Sequence, residues 1–148
     1  FVGLGRMGAN MARHLKDCGY TISGVFDIDD ELKEGLASEL GATVCASLAA
    51  VTACSDIVFT VVTNDAAMES LFFGDDNLFT DANDTLFINC ATLSPDIHRK
   101  LEAEAAKVGA AFSINPRLPA LNGFALVPPS VWIKSAPAAT KSTANCSC

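Results

Sequence analysis

The feature that most constrains this chain is its opening run, Phe1-Val2-Gly3-Leu4-Gly5-Arg6-Met7-Gly8-Ala9-Asn10-Met11-Ala12-Arg13-His14-Leu15. Two apolar residues fit a strand end, and three glycines at G-x-G-x-x-G spacing fit a tight turn. Met7, Met11 and Leu15 then recur every four residues, as one face of a helix does. Gly3 permits the turn, Gly5 lets a ligand reach the main chain with no Cβ in between, and Gly8 lets the helix sit close on the strand. The first N–H groups of the helix have no partners within it and suit a phosphate.

That spacing also arises by chance, so the surrounding sequence has to agree. Gly19 is placed to stop the first helix, and Tyr20-Thr21-Ile22-Ser23-Gly24-Val25-Phe26-Asp27 reads as a second strand ending in an acid. Asp27 stands roughly 20 residues past the glycines, where a carboxylate accepts hydrogen bonds from the ribose hydroxyls of an adenine dinucleotide. The competing reading makes Asp27 the cap of the next helix.

Strand and helix then alternate. Asp29 to Leu40 reads as a helix capped by Asp29 or Asp30, with Leu32, Leu36 and Leu40 on one face and Gly41 at its end. Ala42 to Cys45 suits a short strand, and Ser47 caps a short helix over Leu48 to Ala53. Asp56-Ile57-Val58-Phe59-Thr60-Val61-Val62 is continuously apolar, which predicts a strand covered on both faces, as in a parallel sheet. A helix over Asp65 to Phe72, a turn at Gly74-Asp75-Asp76-Asn77 and a buried strand at Thr85 to Asn89 follow. Ser94 caps and Pro95 opens a helix running to Val108, Gly109 ends it, and Ala110 to Ile114 makes a sixth strand. This pattern predicts an α/β fold, a doubly wound parallel sheet of the Rossmann type with ligand at the carboxyl ends of the strands.

The 148 residues, half of them hydrophobic, allow one domain with a real core. A net charge of −7 and an isoelectric point near 4.6 offer no footprint for a phosphate backbone, so nucleic acid is not an expected partner. No apolar run approaches membrane-spanning length, and the start lacks a secretory pattern. Cys18, Cys45, Cys54 and Cys90 show no metal spacing; they are expected to be small buried hydrophobes in the cytoplasm or another reducing compartment. His14 and His98 read as solvated helix residues, Cys146-x-Cys148 as incidental, and Trp132 as at most a small docking patch.

Every Asp and Glu lies at or before Glu104, while residues from Pro116 onward hold Arg117, Lys134 and Lys141 as their charges and five of the six prolines. The shift predicts a boundary near Asn115, with a dinucleotide-binding domain over 1–116 and an irregular tail over 117–148. The tail keeps neither helical nor strand period, as expected of a truncated, mis-spliced or frame-shifted reading of a longer protein. The alternative is an extra strand over Phe124 to Ile133. Phe1 as first residue leads to the expectation of a sheet incomplete at that end and correspondingly less stable.

Gly3-Leu4-Gly5-Arg6-Met7-Gly8 with Met11-Ala12 and Leu15, and later Asn89-Cys90-Ala91-Thr92-Leu93-Ser94-Pro95, resembles the β-hydroxyacid dehydrogenases over about residues 1–115. These include 3-hydroxyisobutyrate dehydrogenase and the NADP-binding domain of 6-phosphogluconate dehydrogenase. The resemblance implies that Leu4, Arg6 and Met7 line the pyrophosphate turn with Gly3, Gly5 and Gly8. It also puts Val62-Thr63-Asn64 in the family's leucine-proline-asparagine segment beside the cofactor, and Thr92 near the nicotinamide. Thr63 departs from the proline, and Asn89 and Ala91 replace an aspartate and a serine. Thr92 is also readable as a plain loop residue before a capped helix. The family's substrate loop is replaced by Ile114-Asn115-Pro116-Arg117-Leu118-Pro119-Ala120, in which Pro116 alone fits. Its catalytic lysine belongs to a separate helical domain, and neither Lys134 nor Lys141 has that glycine-rich helix context.

The leading expectation is therefore the NAD(P)-binding domain of an oxidoreductase of this family, a partner of a small hydroxy acid only within a full-length enzyme. No catalytic residue and no metal ligand are assigned. NAD is favoured over NADP, because Asp27 would repel a 2′-phosphate and Ile28-Asp29-Asp30 offers no arginine. The chain alone is expected to be inactive. The alternatives are a non-catalytic dinucleotide-binding or scaffold module and, further off, an S-adenosylmethionine-dependent methyltransferase, which shares the glycine turn and the acid.

Overall fold

The computed structural model describes residues 1–114. The Asn115 boundary, the tail and its alternative strand, Trp132, Lys134, Lys141 and the Cys146-x-Cys148 pair lie outside the described residues. Elements alternate as α1 (Arg6–Asp17), β1 (Gly24–Val25), α2 (Asp30–Leu40), β2 (Thr43–Val44), α3 (Leu48–Ala53), β3 (Ile57–Thr60), α4 (Asp65–Phe73), β4 (Leu86–Asn89), α5 (Pro95–Lys107) and β5 (Ala111–Ile114).

All strand pairings are parallel: β1 with β2, β3 with β4, and β4 with β5. Val2 joins the two groups, bridging Phe26 on one side and Thr60 on the other. The spatial order is thus β2-β1-Val2-β3-β4-β5, and the chain changes its direction of travel across the sheet between Val2 and β3. In doubly wound sheets the ligand crevice opens at this switch point, beyond the carboxyl ends of the strands. Here those ends are Gly3 and Val61, tied by Val61 N–H to Val2 O at 2.8 Å and Gly3 N–H to Phe26 O at 3.0 Å.

The helices begin where short polar side chains cap them. Asp29 accepts from Glu31 and Leu32 N–H, Ser47 from Ala50, Asn64 from Ala67 and Ser94 from Ile97. Gly41 ends α2 with φ of 65°, a left-handed conformation that costs glycine nothing. Each face of the sheet has its own core. Val2, Val58 and Phe87 lie with Val51 of α3, Met68 and Phe72 of α4 and Leu101 of α5. Leu4, Val25, Ala12 of α1 and Leu36 and Leu40 of α2 fill the other side, where the Phe1 ring stacks on Phe59 at 4.8 Å. Phe72 sits against Phe79, Phe87 and Phe112 with ring centroids 4.7, 5.2 and 5.8 Å away. Burying one such ring contributes about 1.5–3 kcal/mol.

Several expectations need correcting. The second strand spans two residues rather than the stretch Tyr20 to Asp27, because its neighbours offer only Val2 on one side and Thr43 and Val44 on the other. The β3 strand stops at Thr60, leaving Val61 and Val62 in the loop that turns toward α4. Its burial alternates instead of being continuous: Val58 and Thr60 are buried, Ile57 and Phe59 half-buried. Three helices back one face and two the other, so the second face is more thinly covered. On α1 the residues against the sheet are Gly8, Ala9 and Ala12, and Met7 is 54% exposed. Close helix-to-sheet contact needs small residues, so the methionine stripe flanks the buried face. Leu32 is likewise exposed, leaving Leu36, Ala37 and Leu40 as the buried face of α2.

Candidate functional site

Two of the three glycines are required by the protein's own packing. Gly3 has φ of 88°, and a Cβ there would stand 2.2 Å from the Val61 carbonyl oxygen. A Cβ on Gly8 would stand 2.0 Å from the Gly3 carbonyl oxygen. Gly5 differs: its φ of −56° suits any residue, and a Cβ would meet nothing within 4 Å. Packing therefore explains Gly3 and Gly8, while among the described residues nothing occupies the space over Gly5.

Gly5 is the N-cap of α1, and no side chain caps that helix, whereas α2 to α5 are each capped by Asp, Ser or Asn. The N–H groups of Arg6, Met7 and Gly8 occupy its first turn, and with the helix dipole they suit an anion. Arg6 and Met7 are exposed beside the turn. The Leu4 side chain is 1% exposed, so Leu4 contributes main chain alone. A shallow hollow of about 480 Å³ lined by Arg6, Met7, Asn10, Met11 and His14 runs along α1 from its first turn.

Asp27 closes the other side of the turn. One carboxylate oxygen accepts from Leu4 N–H at 2.5 Å and the other from Asp29 N–H at 3.1 Å. The helix cap is Asp29, so the reading of Asp27 as that cap falls. Each Asp27 oxygen keeps a lone pair for a further donor. Ile28 next to it is 97% exposed, and Lys33, the nearest base along the chain, is paired with Asp30 at 2.6 Å.

The loops after β3 and β4 complete the rim. Val62 is half-buried, and Thr63 and Asn64 are exposed. Asn64 has a structural duty as well, since its oxygen accepts Ala67 N–H at 2.8 Å and its Nδ2 donates to Thr63 at 3.4 Å. Thr92 is exposed in a loop held by buried Asn89, which accepts from Ala91 N–H at 2.8 Å and donates to Ala91 O at 3.3 Å. The chain's sequence gives no sign of what joins these loops: Asp65 accepts from Ser94 N–H at 3.0 Å, across 29 residues. A bond from the Ser94 hydroxyl, with this backbone bond second, holds the Asp65 carboxyl below its ordinary range. An acid in the first turn of a helix reads as a dipole partner, so its contact with Ser94 carries no sequence signal.

The uniform reading of the cysteines and histidines also needs correcting. Cys18 is exposed, Cys45 buried, and Cys54 and Cys90 half-buried. Burial pushes the Cys90 thiol up to about 11. His14 is exposed as expected, but His98 is half-buried against Phe112, with its Nδ1 buried and without a hydrogen-bond partner among the described residues. Among the described residues no helix is long and apolar enough to cross a membrane.

Known proteins agree with this geometry. The family model described as the NAD binding domain of 6-phosphogluconate dehydrogenase matches residues 1–116. Mitochondrial 3-hydroxyisobutyrate dehydrogenase of Drosophila melanogaster is 40% identical over 114 residues, covering 76% of this chain and 34% of that protein. An NAD-dependent L-serine dehydrogenase of Pseudomonas aeruginosa is 35% identical, covering 75% of this chain and 37% of its own length. The solved 3-hydroxyisobutyrate dehydrogenase of Mycobacterium tuberculosis with L-serine superposes with a TM-score of 0.65 at 28% identity, covering 77% of this chain and 38% of that one. The chain thus spans about a third of the length of the curated relatives it matches. The methyltransferase alternative is not supported, since the matching family and relatives are dehydrogenases. An α/β fold with a parallel sheet, an uncapped helix at a glycine turn and these matches lead to one conclusion: the chain belongs to the family of the NAD binding domain of 6-phosphogluconate dehydrogenase and is similar over that domain to 3-hydroxyisobutyrate dehydrogenases.

Proposed function

We propose that the chain binds NAD in preference to NADP, with the pyrophosphate over Gly5 and the first turn of α1. Gly3 and Gly8 shape the turn, and Leu4, Arg6 and Met7 offer main chain and rim. Asp27 accepts the adenosine ribose hydroxyls; Val62, Thr63, Asn64 and Thr92 line the nicotinamide end. The observation that carries the reading is the open space over Gly5 at the one described helix start without a side-chain cap. Preference for NAD is supported by Asp27 beside exposed Asp29 and Asp30, with Lys33 already paired. The three carboxylates, one of them paired with Lys33, would meet a 2′-phosphate there with repulsion. Calorimetric titration with both cofactors tests this, and tighter binding of NADP rejects the role of Asp27.

When bound, the nicotinamide supplies the hydride acceptor or donor. This chain's residues would orient it: Asn89 sets the Thr92 loop, and Asp65 ties that loop to the one bearing Thr63. In a longer protein the substrate would be a small 3-hydroxy acid or its aldehyde, with an acid–base lysine from a further domain. We propose binding without turnover for this chain by itself, because Lys134 and Lys141 lack that lysine's context and Ile114 to Ala120 replaces the substrate loop. Oxidation of a 3-hydroxy acid by the purified chain at an ordinary enzymatic rate would reject that proposal. The same replaced loop favours, as the second reading, a dinucleotide-binding module without chemistry of its own.

A further inference from the structure

We propose that Cys45 and Cys54 are a redox site, in which a hydroperoxide converts the two thiols into an intrachain disulfide that fastens the crossover helix α3 to the sheet. Their sulfurs lie 3.8 Å apart. Cys45 follows β2 and is buried, while Cys54 is the C-cap of α3 and half-buried. Both sulfurs converge on Gly24 of β1: a Cβ there would lie 2.7 Å from one and 2.8 Å from the other. The glycine therefore makes the room in which the two thiols meet. Ser55 Oγ stands 3.6 Å from the Cys54 sulfur and 3.2 Å from Ser23 Oγ, a relay of hydroxyls that can stabilise a thiolate.

Cys54 is the attacking sulfur. Hydrogen bonding from Cys45, with smaller help from Ser55, lowers its thiol to about 6, against burial acting the other way. Its thiolate attacks one peroxide oxygen, the O–O bond breaks, and hydroxide leaves and takes a proton to become water. The sulfenic acid so formed is attacked by Cys45, whose thiol proton goes with the departing hydroxyl as a second water. Two thiols are thus oxidised by two electrons and one peroxide is reduced to two waters. A small oxidant reaches Cys54, while Cys45 is shielded and acts second. Among the described residues Cys90 has no partner sulfur in hydrogen-bond reach, and burial holds it as a thiol.

The test uses the full chain with Cys18, Cys146 and Cys148 replaced by serine, treated with hydrogen peroxide and digested without reduction. The expected product is one peptide pair joined through Cys45 and Cys54, cleaved by dithiothreitol, with Cys90 still open to alkylation after unfolding. In a Cys45→Ala variant, checked by circular dichroism to be folded, Cys54 should stop at the sulfenic or sulfinic acid. Loss of the Cys54 thiol should be half-maximal near pH 6 rather than in the ordinary cysteine range of about 8.5. Overoxidation of Cys54 with no crosslink in the Cys45-containing chain would overturn the proposal, as would equal reactivity of Cys90 or a half-maximum in the ordinary range.

Discussion

Replacing Gly8 by alanine and Gly5 by valine should separate folding from binding within one turn of sequence. At Gly8 the new methyl carbon would lie 2.0 Å from the Gly3 carbonyl oxygen, 3.1 Å from the Gly3 carbonyl carbon and 3.4 Å from Val61 Cβ. The nearest obstacle is main chain, which cannot rotate aside, so α1 has to back off the sheet by more than about 1 Å to reach ordinary contact. Overpacking costs about 1–3 kcal/mol, and a rigid obstacle puts Gly8→Ala at the top of that range. Helix propensity returns about 1 kcal/mol, leaving a net loss of roughly 2 kcal/mol. In a domain of this size that lowers the melting temperature by roughly 8 °C. At Gly5 the Cβ of a valine would meet nothing within 4 Å and φ stays at an ordinary −56°, so Gly5→Val should cost about 1 kcal/mol or less through the weaker N-cap. Its methyls would occupy the phosphate space, and NAD affinity should fall at least tenfold, which is about 1.4 kcal/mol. Thermal melts followed by circular dichroism and calorimetric titration read the two effects apart. A Gly8→Ala chain as stable as the parent would refute the packing argument, and unchanged NAD affinity in Gly5→Val would refute the phosphate argument.

Two other substitutions probe what holds the rim in place. Asp65 has a folded-state pKa depressed by Ser94, so its contribution is fully present above the ordinary carboxylate range and is lost as pH falls through the depressed value. The gap in melting temperature between the parent and Asp65→Asn should accordingly be widest near neutrality and close in acid; a gap independent of pH would contradict the link. Asp76 accepts Leu48 N–H at 2.7 Å and Ala49 N–H at 3.1 Å, capping α3 from the turn before Leu78. Asp76→Ala should lose about 1 kcal/mol in a urea titration, and no change would show that Ser47 alone suffices.

Much of this architecture is legible residue by residue. Ser47 and Ser94 with Pro95 announce helix starts through their own hydrogen-bonding chemistry, and Gly41 announces a stop through its left-handed conformation. The glycine turn is legible because it combines a strand end, a spacing and a helix. What stays hidden depends on partners distant in sequence. Whether Tyr20 to Asp27 pairs along its length depends on how much strand stands on either side, and only Gly24 and Val25 find a continuous partner. Which side of α1 meets the sheet is decided by how close the helix comes, which favours Gly8 and Ala12 over the larger Met7. The site divides in the same way. Asp27 is visible from its distance to the glycines, but its bonds to Leu4 and Asp29, the tie from Asp65 to Ser94 and the meeting of Cys45 with Cys54 need the fold.

The most direct test of the central claim is a titration of the isotope-labelled chain with NAD, followed by amide nitrogen–proton shifts. The account predicts the largest shifts at Gly5, Arg6, Met7 and Gly8, with further shifts at Asp27, Ile28, Thr63 and Thr92. Perturbation centred instead on Asn10 and His14 along the hollow of α1, or no perturbation at the glycine turn at saturating NAD, would contradict it.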